Sequence, residues 1–229
     1  MTHRRSISAF ISGIAVSLAL VLVPSAAFGR DKAEGEKKDS VAFFRGFSVS
    51  VDLVGPAQLL FSDYGQYEAA LHINLKDKYF PVVEVGVGNA DHTDDVTQIS
   101  YKTTAPYWKI GADFNLLKNK HDIYRLFAGV RFAFTSFKYD ISHPGVEDPV
   151  WGGVAGYKAD DVSCSSQWAE FLIGVDAKIW GPLHLGWSLR YRSRISSKEG
   201  DIGTSWYVPG FGRTGSSNIG GTFNVSLDI

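Results

Sequence analysis

The chain has 229 residues, with 23 Lys and Arg against 24 Asp and Glu, one Cys, 24 Gly and 14% aromatic residues. A net charge of −1 excludes nucleic acid as a partner, because neutralising a phosphate backbone takes a basic excess, and one cysteine excludes an internal disulfide framework and any CxxC metal site. The length suits one ordinary domain.

The first element is for export. Residues 1–29 carry a basic start at Arg4 and Arg5, an apolar run from Ile7 to Val23, then Pro24 and Ala27-Phe28-Gly29, with small residues where a signal peptidase reads. A cleaved secretory signal is expected, and Arg30 after the cut excludes a lipid-anchored cysteine. Cleavage leaves about 200 residues with 21 basic against 24 acidic groups, and no further run long enough for a transmembrane helix. Residues 30–44 open with a charged, apolar-poor stretch and are expected to form a periplasmic leader. The fold is expected over 45–229.

From Phe47 onward the dominant period is two, which predicts strands. Eight alternating segments follow, each with one apolar and one polar face. Phe47, Val49, Val51 and Leu53 lie opposite Asp52; Tyr67 to Leu75 opposite Glu68 and His72; Val83, Val85 and Val87 opposite Glu84; Trp108 to Leu116 opposite Lys109 and Asp113. In the second half, Tyr124 to Phe134 lie opposite Arg125 and Arg131; Phe171 to Ile179 opposite Glu170, Asp176 and Lys178; Leu183 to Tyr191 opposite His184, Arg190 and Arg192; Ile219 to Ile229 opposite Asn218 to Asp228. Phe127 and Leu172 are apolar residues on the polar face.

Short links (76–78, 118–122, 180–182) alternate with long ones at 56–65, 89–105, 138–166 and 196–217. That alternation predicts an all-β, eight-stranded antiparallel up-and-down transmembrane β-barrel of outer-membrane type, with long loops outside and both termini in the periplasm. Three features turn the apolar face to lipid. Some forty bulky groups do not fit inside an eight-stranded barrel, the glycines of the polar face suit a crowded interior, and the charges of that face are of both signs. Two aromatic belts are expected, Phe47, Tyr79, Phe80, Tyr124 and Trp180 at the short-turn end, and Tyr107, Trp108, Phe134 and Tyr191 at the long-loop end.

Several runs resemble an uncharacterised family of small outer-membrane barrels of Bacteroidetes type, a domain of unknown function. They are Val49-Ser-Val-Asp-Leu, Trp108-Lys-Ile-Gly-Ala-Asp-Phe-Asn, Gly129-Val-Arg-Phe-Ala-Phe-Thr-Ser-Phe, Trp168-Ala-Glu-Phe-Leu-Ile-Gly-Val, Leu185-Gly-Trp-Ser-Leu-Arg-Tyr-Arg and Tyr207-Val-Pro-Gly-Phe. The resemblance spans Arg45 to Ile229 in order and implies the barrel and its membrane without any activity. Ile229 stands where an outer-membrane C-terminus commonly has an aromatic.

The residues expected to fill the lumen are Asp52, Glu68, His72, Glu84, Lys109, Asp113, Arg125, Arg131, Glu170, Asp176, Lys178, His184, Arg190 and Arg192, read as a structural charge network rather than as acid–base machinery. Asp91, His92, Asp94 and Asp95 are read as solvated rather than as a cation site, and Cys164 as an inert loop thiol. No GxSxG elbow is present, and side chains filling the lumen leave no pore. Trp151, Tyr157, Trp206 and Tyr207 in the long loops are the candidate recognition residues, with a lid over the barrel mouth as the competing reading.

The function expected is therefore a non-enzymatic scaffold or interaction subunit of the outer membrane in a Gram-negative envelope. It needs no catalytic residue, metal or cofactor, its partners are outer-membrane lipids and, as a candidate, another envelope protein, and nucleic acid is not among them. The alternatives are a lipid-modifying barrel enzyme using His72 or His184, and a soluble periplasmic barrel binding an apolar ligand.

Overall fold

The computed structural model describes residues 42–147, 152, 154–200 and 202–229. The signal segment and the leader through residue 41, and Trp151, lie outside the described residues. The elements in chain order are β1 (Phe44–Asp52), α1 (Val54–Phe61), β2 (Tyr64–Leu75), β3 (Tyr79–Thr93), β4 (Ser100–Asn115), β5 (Tyr124–Glu147) and β6 (Val154–Trp180). After them come β7 (Leu183–Lys198), a small hairpin β8 (Tyr207–Val208) and β9 (Gly212–Arg213), and β10 (Ser217–Asp228).

Eight strands close in the order β1-β10-β7-β6-β5-β4-β3-β2, every pairing antiparallel, with the β8–β9 hairpin as a separate sheet. Closure pairs the strand edges with one another, as a chain in hydrocarbon requires, except along the upper half of β10, which β1 is too short to reach. Among the described residues no helix is long and apolar enough to cross a membrane.

The apolar face points outward on every strand. Val49, Leu71, Val85, Ile110, Phe132, Ile173, Leu189 and Leu227 are all exposed, while Phe127 and Leu172 turn inward and are buried. Phe47, Tyr79, Tyr124 and Trp180 ring the short-turn end and Trp108, Phe134 and Tyr191 the long-loop end, all exposed. Two expected belt residues are misplaced: Phe80 and Tyr107 are buried inside. Parity decides this, because Phe80 shares a face with Glu84, and Tyr107 with Lys109.

The long connections differ most from expectation. β1 begins at Phe44. α1 begins just before the 56–65 link and fills its first half, and Asp52, one residue ahead of the N-cap Leu53, accepts at its carboxylate from the Val54 and Gly55 N–H at 3.1 and 2.9 Å. Most of 89–105 and 138–166 is strand, because β3, β4, β5 and β6 continue past the lipid-facing belt. There the outward residues change from Trp108 and Phe134 to Lys102, Thr104, Ser136, Lys138 and Asp140. Period two persists across that change with both faces still useful, polar to water and apolar to the interior. Cys164 accordingly lies on β6 facing inward and buried, not in a loop. The 196–217 link folds back into the barrel.

α1 seats directly on β2. A Cβ at Gly55 would lie 2.2 Å from the Gln66 carbonyl oxygen, and one at Gly65 would lie 2.6 Å from Leu59 Cγ. Gly55→Ala is therefore expected to lift the helix off the wall at a cost of about 1–3 kcal/mol. Hydrogen exchange would check it, with faster exchange across Val54–Phe61 and unchanged protection in β5 and β6.

Candidate functional site: a lumen closed in two layers

Inward side chains arrive from every strand, and the structure sorts them into layers along the barrel axis. In the middle lie four carboxylates, Glu68, Glu84, Asp113 and Glu170, against four cations, Lys109, Arg131, Arg190 and Arg192. Glu84 accepts from Arg131 Nε at 2.8 Å and from Arg190 Nη1 at 2.9 Å, and Arg131 forks onto both oxygens of Asp113 at 2.7 and 2.9 Å. Lys109 Nζ sits 2.7 Å from Glu68 and 3.1 Å from Glu170. Tyr107 and Trp168, which sequence reasoning did not place here, donate to Glu68 and Glu170, each at 2.8 Å. A void of about 20 Å³ beside the cluster has room for on the order of one water.

The remaining expected lumen charges do not join this layer. His72 touches its edge, 3.6 Å from Asp113. Asp52 accepts from the first N–H groups of α1 and also from the Phe223 N–H at 3.0 Å, so its role is to hold α1 and β10 at the end of β1. Arg125, Asp176 and His184 form a separate group toward the short-turn end, where His184 lies between Asp176 and Asp228 at 3.0 and 2.9 Å. Lys178 is 43% exposed at that rim, 3.9 Å from Asp228, and does not face the packed lumen. This group lines a polar vestibule of about 300 Å³.

Above the charged layer the lumen is apolar, contrary to the expectation of a charged interior throughout. Tyr107, Phe137, Cys164 and Trp168 surround the inserted hairpin, whose Tyr207, Val208, Pro209 and Phe211 are buried. The hairpin is tied at several points. Tyr101 Oη donates to the Tyr207 carbonyl at 2.8 Å, Tyr207 Oη to the Gly65 carbonyl at 3.1 Å, and Arg192 Nη1 to the Phe211 carbonyl at 3.0 Å. Tyr207 is thus a plug residue, not a surface one. Trp206 is half-buried at the mouth, stacked on His92 at 4.3 Å, and Asp63 holds that imidazole at 2.7 Å. Of the four candidate recognition residues, Tyr157 is exposed, stacked against His143 at 6.0 Å. The signal for the plug was present in Tyr207-Val-Pro-Gly-Phe211, an apolar turn in a link that a solvated loop would fill with polar residues.

Asp91 and Asp94 are engaged elsewhere. Asp91 pairs with Lys102 at 2.9 Å, and Asp94 accepts from the Thr97 and Val96 N–H, bonds that hold its carboxyl below the usual aspartate range. Among the described residues no group of three or more His, Cys, Asp or Glu is arranged to hold a metal ion.

Two substitutions separate the layers. Lys109→Met takes from Glu68 and Glu170 their nearest cation, leaving Arg190 at 3.0 Å from Glu68 and Arg190 and Arg192 at 3.5 and 3.4 Å from Glu170. It is expected to cost about 3–5 kcal/mol, against about 1 kcal/mol or less for Lys102→Met at the exposed Asp91 pair. Urea-unfolding midpoints measure both. Gly210, at φ +81° with the Tyr107 ring 2.5 Å from a built Cβ, tolerates no side chain. Gly210→Val is expected to expel the hairpin and open Arg213 to trypsin, while the barrel still shifts on heating in an unboiled gel.

Comparison with solved structures finds Ail, the attachment invasion locus protein of Yersinia pestis, in complex with the heparin analogue sucrose octasulfate. The identity is 9%, with 80% of this chain and 98% of that chain covered, at a TM-score of 0.39. No curated protein matches the chain. The family model described as Domain of unknown function (DUF6048) matches residues 11–228, the whole barrel included. The chain, an eight-stranded barrel of outer-membrane type, belongs to that family.

Proposed function

We propose that the protein is exported by a cleaved signal, sits in the outer membrane of a Gram-negative envelope, and works there as a non-enzymatic scaffold or interaction subunit. The observation that carries this reading is the β5–β6 hairpin, which continues far beyond the lipid-facing belt with polar residues outside. Lys138 and Asp161, and Lys158 and Asp160, pair on its exposed surface at 3.3 and 2.8 Å. Building such an extension has no purpose for anchoring, because the belt already spans from Trp180 to Phe134. Beside its tip lies a groove of about 490 Å³, bordered by Gln98, Ser142, His143 and Tyr157. Hydroxyl, amide and aromatic groups of this kind suit recognition of another envelope protein. Outer-membrane lipids surround the belt.

Transport through the lumen is disfavoured by two closed layers, the plug and the charged cluster. Acyl-chain chemistry is disfavoured because the apolar part of the lumen is filled by the protein's own hairpin, and because His72 and His184 face carboxylates rather than a serine nucleophile.

The test begins with an outer-membrane fraction run unboiled and boiled on a denaturing gel, where a folded barrel migrates differently. A photocrosslinking residue at Tyr157 is then expected to capture a protein in intact cells, and the same residue at Ile110 in the lipid belt to capture none. A protein found in the soluble fraction with no heat shift overturns the membrane reading; equal capture at both positions, or none, overturns the interaction role. In planar bilayers the purified chain is expected to give no steady conductance.

A further inference from the structure

β1 is nine residues long and pairs with β10 only through Asn224–Asp228. Above that point the upper half of β10 has β7 on one side and, on the other, α1 instead of a strand. Phe223 turns its N–H and C=O toward this side, where Asp52 Oδ1 and the Leu53 N–H meet them at 3.0 and 2.8 Å. Strand geometry turns the N–H and C=O of Gly221 and Ile219 the same way, and among the described residues no strand lies across from them.

Between α1 and this open edge is a slot of about 380 Å³. Its outer lips are Val54, Phe61 and Ile219, which are 40%, 89% and 68% exposed. Ile219 pairs with Tyr191 of the long-loop aromatic belt, so the mouth opens at the membrane interface. The inner end is polar: Asn218, Gln66 and Arg192 line it beside Tyr207 of the plug. A Cβ at Gly220 would lie 3.3 Å from Arg192 Nη2, so the Gly220-Gly221 pair leaves bare backbone next to the guanidinium. The one carboxylate at the slot, Asp52, is already engaged by three backbone N–H groups.

An edge left open at membrane depth needs a hydrogen-bonding occupant, and apolar lips keep water from serving. The occupant must carry polar oxygens at one end and hydrocarbon at the other. Arg192, whose Nε and Nη1 are turned to Glu170 and the Phe211 carbonyl, brings its Nη2 to the Gly220 side of the slot, where it favours a negative head. We propose that the slot between α1 and β10 binds one anionic lipid drawn sideways from the surrounding leaflet. The phosphate-bearing head points toward Arg192 and Asn218, and an acyl chain lies between Phe61 and Ile219. The site is independent of the β5–β6 hairpin and of what that hairpin contacts.

The experiment is native mass spectrometry of the full chain, released from detergent after titration with phosphatidylglycerol or with phosphatidylcholine of the same chains. One phosphatidylglycerol is expected to stay bound where phosphatidylcholine is stripped, with a preference of about tenfold. Gly221→Leu places a side chain at the mouth, where a Cβ meets only the Ser188 carbonyl oxygen at 3.7 Å, so the barrel folds and the bound lipid is lost. Arg192→Gln is expected to remove the preference between the two heads. Equal retention of both lipids by the wild-type chain overturns the proposal, as does a Gly221→Leu chain that keeps phosphatidylglycerol as well as wild type, which marks the lipid as annular. A heat shift for each variant separates these outcomes from loss of the fold.

Discussion

Glu84 sits at the centre of the barrel with Arg131 on one side and Arg190 on the other, and the rest of the interior is arranged around the need to keep that carboxylate paired. Every side chain of the layer is at most 9% exposed, so each charge depends on its protein neighbours for the solvation it has lost. Removing any one leaves an uncompensated charge, whereas the complete set of four and four is neutral. The crowding this requires explains the glycines of the inner face. A Cβ at Gly111 would lie 2.7 Å from Arg131 Cδ, and one at Gly129 would lie 2.0 Å from Asp113 Oδ1. Small residues there are the space the guanidinium and carboxylate groups occupy.

The plug depends on the same layer. Arg192 reaches both ways: its Nε lies 3.4 Å from Glu170, and its Nη1 donates to the Phe211 carbonyl of the hairpin. Lys109 lies 5.2 Å from the Tyr107 ring centroid, and that ring in turn lies against Gly210. The hydrophobic core of the molecule is therefore inside the barrel's upper half, built from Phe137, Trp168, Tyr207 and Phe211, while the larger apolar surface faces outward. A membrane barrel of this size solves two packing problems with opposite rules, polar-in for the strands at membrane depth and apolar-in for the part that stands in water.

That division also separates roles. The belt and the charged layer anchor and seal, the β5–β6 hairpin presents a polar surface, and the short β1 leaves one place where wall and lipid meet through a helix rather than a strand. The parts are not independent, because Arg192 touches the charged layer at Glu170, the hairpin at the Phe211 carbonyl and the slot beside α1.

The barrel was legible in the sequence because period two is a local property: each strand's faces are fixed by alternation, and the strand count by turns such as Lys76-Asp77-Lys78. The same parity rule would have put Phe80 and Tyr107 inside, where judging them by position along the strand put them in the belts. What the chain does at the strand ends was not legible. Nothing local says that Val154 to Ser166 keeps pairing with β5 above the membrane, or that Asp52 accepts from the start of a helix instead of meeting a lumen arginine. The 196–217 link carries its apolar turn openly, yet whether that turn covers, dangles or inserts depends on the hole left by Ala90, Ala105 and Ala133 on other strands. Sequence alone determined the eight alternating strands, the outward apolar face and the balance of interior charge. Tertiary structure decided which charges meet, that the upper lumen is apolar, and that the last link fills it, because those depend on which side chains closure brings to the same height around the ring.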